Sequence, residues 1–329
     1  MLLHKSTKEA LTSYLKEKKF ISPDQQVLAT EKPGEGNMNY TIRVKLTNGS
    51  IILKQSNPYV EKYPSVPAPR ERAIAEANFY KIISANPTLT SVMPDFIGID
   101  EDNFINAMED LGDAKDLSYL YKRQEMISDD EIKKLCEYLS ILHEEYSIEE
   151  AGTSLSNMAL RKLNHEHVFV YPFLEDNGFD LDGIQQGLQA CALKYKKSNA
   201  LKKLAAALGE KYLSDGVHLV HGDFYPGSWV KANQELFVID PEFCHYGAAE
   251  FDLGVMQAHM HLSGNESKLD QIMDNYKKPH NFDEQLCNQY KGMEILRRII
   301  GLAQLPLQLS VEEKQALLET ACENLQVKI

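Results

Sequence analysis

Three acidic side chains in two short segments have the types and spacing for phosphoryl transfer. The segment "LVHGDFYPGSWV" (219–230) runs from apolar residues into His-Gly-Asp, and "LFVIDPEFCHYG" (236–247) runs into Asp-Pro-Glu. Asp223 and Asp240 therefore each stand just beyond a strand-like run, and on neighbouring strands both would project at one end of the pair. In phosphoryl transfer one carboxylate accepts the proton of the attacking hydroxyl, and another holds Mg²⁺ against the β- and γ-phosphates of ATP. Glu242 follows Asp240 by two residues, which in extended backbone places both on one side. That spacing could place the two carboxylates Asp240 and Glu242 near the metal, with Ser228 adding a hydroxyl or a water-mediated contact. His221 reads as a hydrogen-bonding residue of the loop, because no GxSxG or reactive-cysteine context supplies a nucleophile for it to serve.

The N-terminal third carries residues suited to a nucleotide. In "EKPGEGNMNYTIRV" (31–44), Gly34, Gly36, Asn37 and Asn39 would let backbone N–H groups approach phosphates. Lys54 lies inside the apolar strand "SIILKQ", where an ammonium is costly unless it meets an anion. Glu76, on the helical pattern that follows, is its candidate partner.

Around these residues the elements fall into two groups. A helix is expected over 1–20, then strands over 26–30, 39–46 and 50–55, the last two joined by an Asn-Gly hairpin turn. A proline-rich loop (58–69), a helix over 70–84 and strands near 96–99 and 103–108 complete a β-rich part. Helical spacing then dominates over 128–146, 181–213, 250–262, 282–305 and 311–325. The expected division is a nucleotide-binding lobe at 1–108, a hinge at 109–112 and a helical lobe at 113–329, with the ligand in the cleft between lobes.

Composition narrows the function classes. The formal net charge is −13, with 43% apolar and 25% charged residues, so nucleic acid is not an expected partner, whereas one bound nucleotide is fully compatible. The five cysteines are widely spaced and form no zinc pattern. No apolar run approaches the length of a membrane span and no signal peptide is evident, so no membrane partner is expected and the expected location is the cytoplasm.

The order of glycine loop, strand lysine, helix glutamate, connector, HGD and DPE resembles the aminoglycoside phosphotransferase and choline kinase superfamily, and within it the methylthioribose kinases. The likeness spans roughly residues 31–305. It rests on "GEGNMNYTIRV", "SIILKQSNPYV", "MEDL", "HGDFYPGS" with its serine, "DPEFCHYGAAEFDLG" and "EILRRIIGLAQ". It implies an α+β, protein-kinase-like two-lobed fold: a small β-rich N-lobe with one main helix and a larger, mostly helical C-lobe. It also implies ATP and Mg²⁺, Asp223 as the base, Asp240 with Glu242 as Mg²⁺ ligands, hinge backbone at Glu109 and Leu111 meeting adenine, Arg297 and Arg298 contacting a sugar, Asp252 bracing the loop, and a homodimer. On a regular helix two adjacent arginines are about 100° apart, so at most one is expected to point straight at a ligand. The resulting expectation is transfer of the γ-phosphate of ATP to a hydroxyl of a methylthioribose-like sugar. Alternatives are an aminoglycoside, choline or amino-alcohol, or fructosamine-type acceptor, and, remotely, a pseudokinase scaffold. Relatives acting on antibiotics and fructosamines usually carry Asn where this chain has Ser228.

Overall fold

The computed structural model describes residues 1–34, 38–122, 124–148 and 155–329. Gly36 and Asn37 of the expected phosphate loop lie outside the described residues.

The chain forms two compact units: Met1–Lys115 with Lys231–Cys244, and Asp116–Val230 with His245–Ile329. The first is built on a five-stranded sheet. Its strands are β1 (Val27–Glu31), β2 (Tyr40–Leu46), β3 (Ser50–Gln55), β6 (Phe96–Asp100) and β7 (Ile105–Glu109), in the order β1-β2-β3-β7-β6; the short β4 (Tyr59–Val60) and β5 (Tyr63–Pro67) pair separately. All the neighbouring pairs of the five-stranded sheet are antiparallel, with Lys54 of β3 registered between Thr41 and Asn106. Val44, Leu53, Ile105 and Ala107 bury one face of this sheet against Leu11 and Leu15 of helix α1 (Lys8–Glu17). Helix α2 (Arg72–Ile83) brings Glu76 to the level of β3, and Ala73, Phe79 and Ile83 bury its apolar side chains.

Most expected boundaries lie within two or three residues of those observed, with instructive exceptions. The expected 20-residue first helix is ten residues long, starting at the Thr7 cap. The proline-rich stretch is a small two-stranded ladder rather than a loop. The continuous helix expected over 181–213 is broken at Ser198, whose side chain caps the helix Asn199–Leu213. The strands preceding Asp223 and Asp240 are not partners: His218–Val220 pairs with His245–Gly247, and Glu235–Val238 pairs with Trp229–Ala232. The DPE segment packs into the β-rich unit, through Val238 N–H to the Val92 carbonyl and Cys244 Sγ to the Ala75 carbonyl.

The second unit is helical. Helix α3 (Asp129–Glu145) opens with a capping box between Ser128 and Glu131. Helices α4 (Ala249–Leu262) and α5 (Glu284–Ile300) form its centre, with Val255, Met293, Leu296 and Ile300 in a core shared with Phe169 and Leu208. The two helices approach closely at Gly254, where a Cβ would lie 2.8 Å from the Cys287 carbonyl oxygen and 2.9 Å from Tyr290 Cβ. Backbone on one side cannot give way, so overpacking is relieved only by parting the helices. Gly254→Leu should lower unfolding stability by roughly 1–3 kcal/mol, read as a fall in the urea midpoint.

Candidate active site

In the first unit Lys54 is at the centre. Its ammonium donates to Glu76 Oε1 at 2.8 Å and to Asp240 Oδ1 at 2.7 Å, and only 5% of the residue is exposed. Burial opposes the charge, but Asp240, Glu76 and Glu242 outweigh it and hold the ammonium pKa above its usual range. Asn106, across the ladder from Lys54, donates to the other Glu76 oxygen at 3.0 Å. The lysine–glutamate pair expected from chain order is therefore formed, and Asn106 fixes the glutamate's orientation.

Asp240 has φ 61° and ψ 51°, a left-handed conformation, and Pro241–Phe243 is a 3-10 turn. The extended backbone assumed for Asp240 and Glu242 is thus corrected: Pro241 fixes its own φ and starts a turn instead of a strand. Asp240 leaves 46% of its side chain exposed beside Lys54, whereas Glu242 is buried. Glu242 Oε2 accepts from Asn39 Nδ2 at 2.8 Å and lies 3.4 Å from Arg72 Nε. Arg72 is fully buried; it also donates to Asn39 Oδ1 and to the carbonyls of Asn57, Pro69 and Met38. Asn39 therefore anchors the end of the glycine loop to Glu242. Gly34 has open space around its Cα. At the connector, the Glu109 N–H donates to the Asp95 carbonyl, and Asp110 is gripped by Arg43 and Ser50 while Leu111 is half-buried. Among the described residues no group of three His, Cys, Asp or Glu side chains is arranged to hold a metal.

The second unit holds Asp223. Its loop is braced from below by Asp252, fully buried on α4, which accepts from the N–H groups of His221 at 2.6 Å and Gly222 at 2.9 Å. Burial opposes ionisation of Asp252, but its bond to His143, the neighbouring His143 and His221 rings, and the Gly222 N–H together hold its carboxyl below the usual range. Gly222 has φ 83°, which lets the chain turn out to Asp223. Ser228 Oγ donates to the Asp223 carbonyl at 2.8 Å, closing the loop. Trp229 is buried edge-on to Phe224 and packs as core.

Both arginines of the pair reach Asp223. Arg297 Nη2 and Arg298 Nη2 lie 3.9 Å and 3.8 Å from Asp223 Oδ1. The expectation that only one faces a given point is corrected, and the cause is Glu294. One turn earlier on α5, it accepts from the Nε of both arginines and draws the two long side chains together. Behind Glu294 stand His259 Nε2 at 3.0 Å and, bonded to His259 Nδ1 at 2.6 Å, the Tyr121 hydroxyl. Burial, with Arg298 and Arg297 nearby, pushes the His259 imidazole pKa down to about 4 despite Glu294.

The sequence reading did not find Arg72, Asn106, Glu294, His259 or Tyr121. Glu294 alone had a local signal, the i,i+3 and i,i+4 spacing to the two arginines.

A β-rich unit with a strand lysine on a helix glutamate, and a helical unit with a braced HGD aspartate, define a protein-kinase-like α+β fold. A profile of the phosphotransferase enzyme family matches residues 30–294, and the chain belongs to that family. It is a small-molecule phosphotransferase acting on hydroxyl groups, which sets aside the scaffold reading. It is 25% identical over 353 residues to methylthioribose kinase of Geobacillus sp. (strain WCH70), covering 91% of this chain and 84% of that protein. Against methylthioribose kinase of Bacillus cereus (strain ATCC 10987 / NRS 248) it is 28% identical over 275 residues, covering 78% and 66% respectively. Spectinomycin phosphotransferase in complex with ADP and spectinomycin shares the fold at TM-score 0.55 and 15% identity, over 98% of this chain and 100% of that one. Choline kinase LicA from Streptococcus pneumoniae does so at 0.52 and 15%, over 96% and 99%. No helix of the described residues is long and apolar enough to cross a membrane.

The depressed His259 pKa has a stability consequence. The unfolded imidazole takes up a proton near pH 6.5 while the folded one resists until about 4. The folded state is therefore penalised as pH falls through that window, by about 3 kcal/mol at its acid end. His259→Gln removes the titration, so its unfolding free energy should fall less steeply than the wild type's between pH 6.5 and 4 in parallel urea titrations.

Proposed function

We propose that the chain is an ATP- and Mg²⁺-dependent kinase of a neutral, hydroxylated sugar of the methylthioribose kind. The observation that carries the acceptor is the arginine pair at Asp223. Aminoglycosides, amino alcohols and fructosamines carry ammonium groups, and two guanidiniums about 4 Å from the base oppose a cation there. A polyol accepts hydrogen bonds from both.

In this reading the first unit supplies the groups for the nucleotide and the second those for the acceptor. Lys54, oriented by Glu76, donates to the phosphates of ATP, in the role the strand lysine has in such folds. Gly34, Gly36 and Asn37 bring backbone N–H groups to the phosphates, Asn39 fixes that loop, and the backbone at Glu109 and Leu111 meets the adenine. The half-exposed Asp240 fits a Mg²⁺ ligand, since this ion takes one or two carboxylates and completes its shell with phosphate oxygens and water. Held by Asp240, the ion would supply charge neutralisation for the transferred phosphoryl group. Glu242, fixed by Asn39 and Arg72, adds a second negative charge to the Lys54 cluster, and Ser228 would offer its hydroxyl oxygen to a metal-bound water. Asp223 accepts the proton of the acceptor hydroxyl, while Arg297 and Arg298 orient the sugar. We assign the protein to the cytoplasm and, following the resemblance, to a homodimer.

The test is release of ADP from MgATP in the presence of methylthioribose, beside ribose, choline and an aminoglycoside. Sugar-dependent release is expected, with Asp223→Asn lowering turnover by roughly 10²–10⁴ at unchanged ATP affinity. Turnover of a cationic acceptor in preference to the sugar overturns the assignment.

A further inference from the structure

Tyr121, His259 and Glu294 stand in a line behind the arginine pair, and their proton positions follow from charge. Burial opposes ionisation of Glu294, but Arg297, Arg298 and His259 hold its carboxyl well below the usual range, so it is ionised and only accepts. His259 Nε2 must then carry the proton of the 3.0 Å bond to Glu294 Oε1. A neutral imidazole protonated on Nε2 offers a lone pair at Nδ1, so the Tyr121 hydroxyl must donate across the 2.6 Å gap. All three side chains are nearly or fully buried, and each has one role that satisfies the next. Glu294 Oε1 is shared between His259 and Arg298 Nε, and Oε2 takes Arg297 Nε. Fixing Oε1 thus fixes the plane of the carboxylate and with it both guanidiniums. Tyr225 adds a second support: the Arg298 guanidinium lies 4.7 Å over its ring, whose centroid is 5.1 Å from that of His259.

We propose that His259 and Tyr121 are positioning residues of the acceptor site, which act through Glu294 to hold Arg297 and Arg298 turned toward Asp223. The proposal rests on the reading that Asp223 and the arginines handle the acceptor.

The test compares His259→Gln, whose amide keeps a donor where Nε2 stands, with His259→Leu, which keeps volume and loses the donor. His259→Leu should lower kcat/KM for the acceptor at least about tenfold below His259→Gln, with KM for ATP unchanged in both; Tyr121→Phe should cost about fivefold. Equal acceptor kinetics in the Gln and Leu variants means packing alone is at work and overturns the proposal. Two readouts need no turnover. The Nε–H signals of Arg297 and Arg298 in ¹⁵N NMR should exchange slowly in the wild type and the Gln variant and be lost in the Leu variant. If both His259 variants fail to fold, the wild-type imidazole decides: a proton on Nε2 with Nδ1 bare supports the proposal, and a proton on Nδ1 overturns it. Absence of turnover with every acceptor sinks the functional reading instead, and the NMR comparison still decides the positioning.

Discussion

One buried carboxylate, Glu294, sets the geometry of the arginine pair at Asp223. Two guanidiniums packed side by side repel each other, and neither is stable in a buried position without an anion. Glu294 supplies that anion at the Nε atoms, leaving the terminal amino groups to face Asp223. Asp223 is thereby kept on a loop whose backbone is itself held by a second buried carboxylate, Asp252. From the base inward the site alternates in charge: the Asp223 carboxylate, then two guanidiniums, then the Glu294 carboxylate.

The first unit meets the same constraint differently. Lys54 is bracketed by Glu76 and Asp240, and Glu242 is bracketed by Asn39 and Arg72. One carboxylate of each bracket comes from the segment Lys231–Cys244. Charge pairing therefore explains why a strand and turn distant in sequence belong to the sheet unit.

Much of this was legible in the sequence because some residues announce a cost. A lysine in an apolar strand needs an anion, and Glu76 was one of two acidic residues on the next helical pattern, the one well inside it. HGD and DPE were legible as carboxylates following apolar runs. What stayed hidden depended on partners far along the chain: Asn39 with Glu242, or Tyr121 with His259, have no mutual spacing to read. Two errors came from applying ideal geometry too literally. Period two was applied across Pro241, which does not sustain extended backbone, and the 100° step was applied to arginines long enough to converge. In "EILRR" the acid three and four residues before the pair already carried the correction.

Arg72 has a consequence for the excursion that follows Asn57. A single Nη1 atom holds the carbonyls of Asn57 and Pro69, the two ends of the β4–β5 excursion. Whatever lies between those carbonyls is closed off at its base by one guanidinium, and closing a longer loop adds only slowly to the entropic cost. The tip of the stretch "PYVEKYPSVPA" nevertheless stays beside the glycine loop: the Glu61 N–H donates to the Met38 carbonyl, and Glu61 and Lys62 line a pocket with Gly34 and Asn39. A change of length between Asn57 and Pro69 would therefore be felt at Asn39 from both the tip and the base of the excursion.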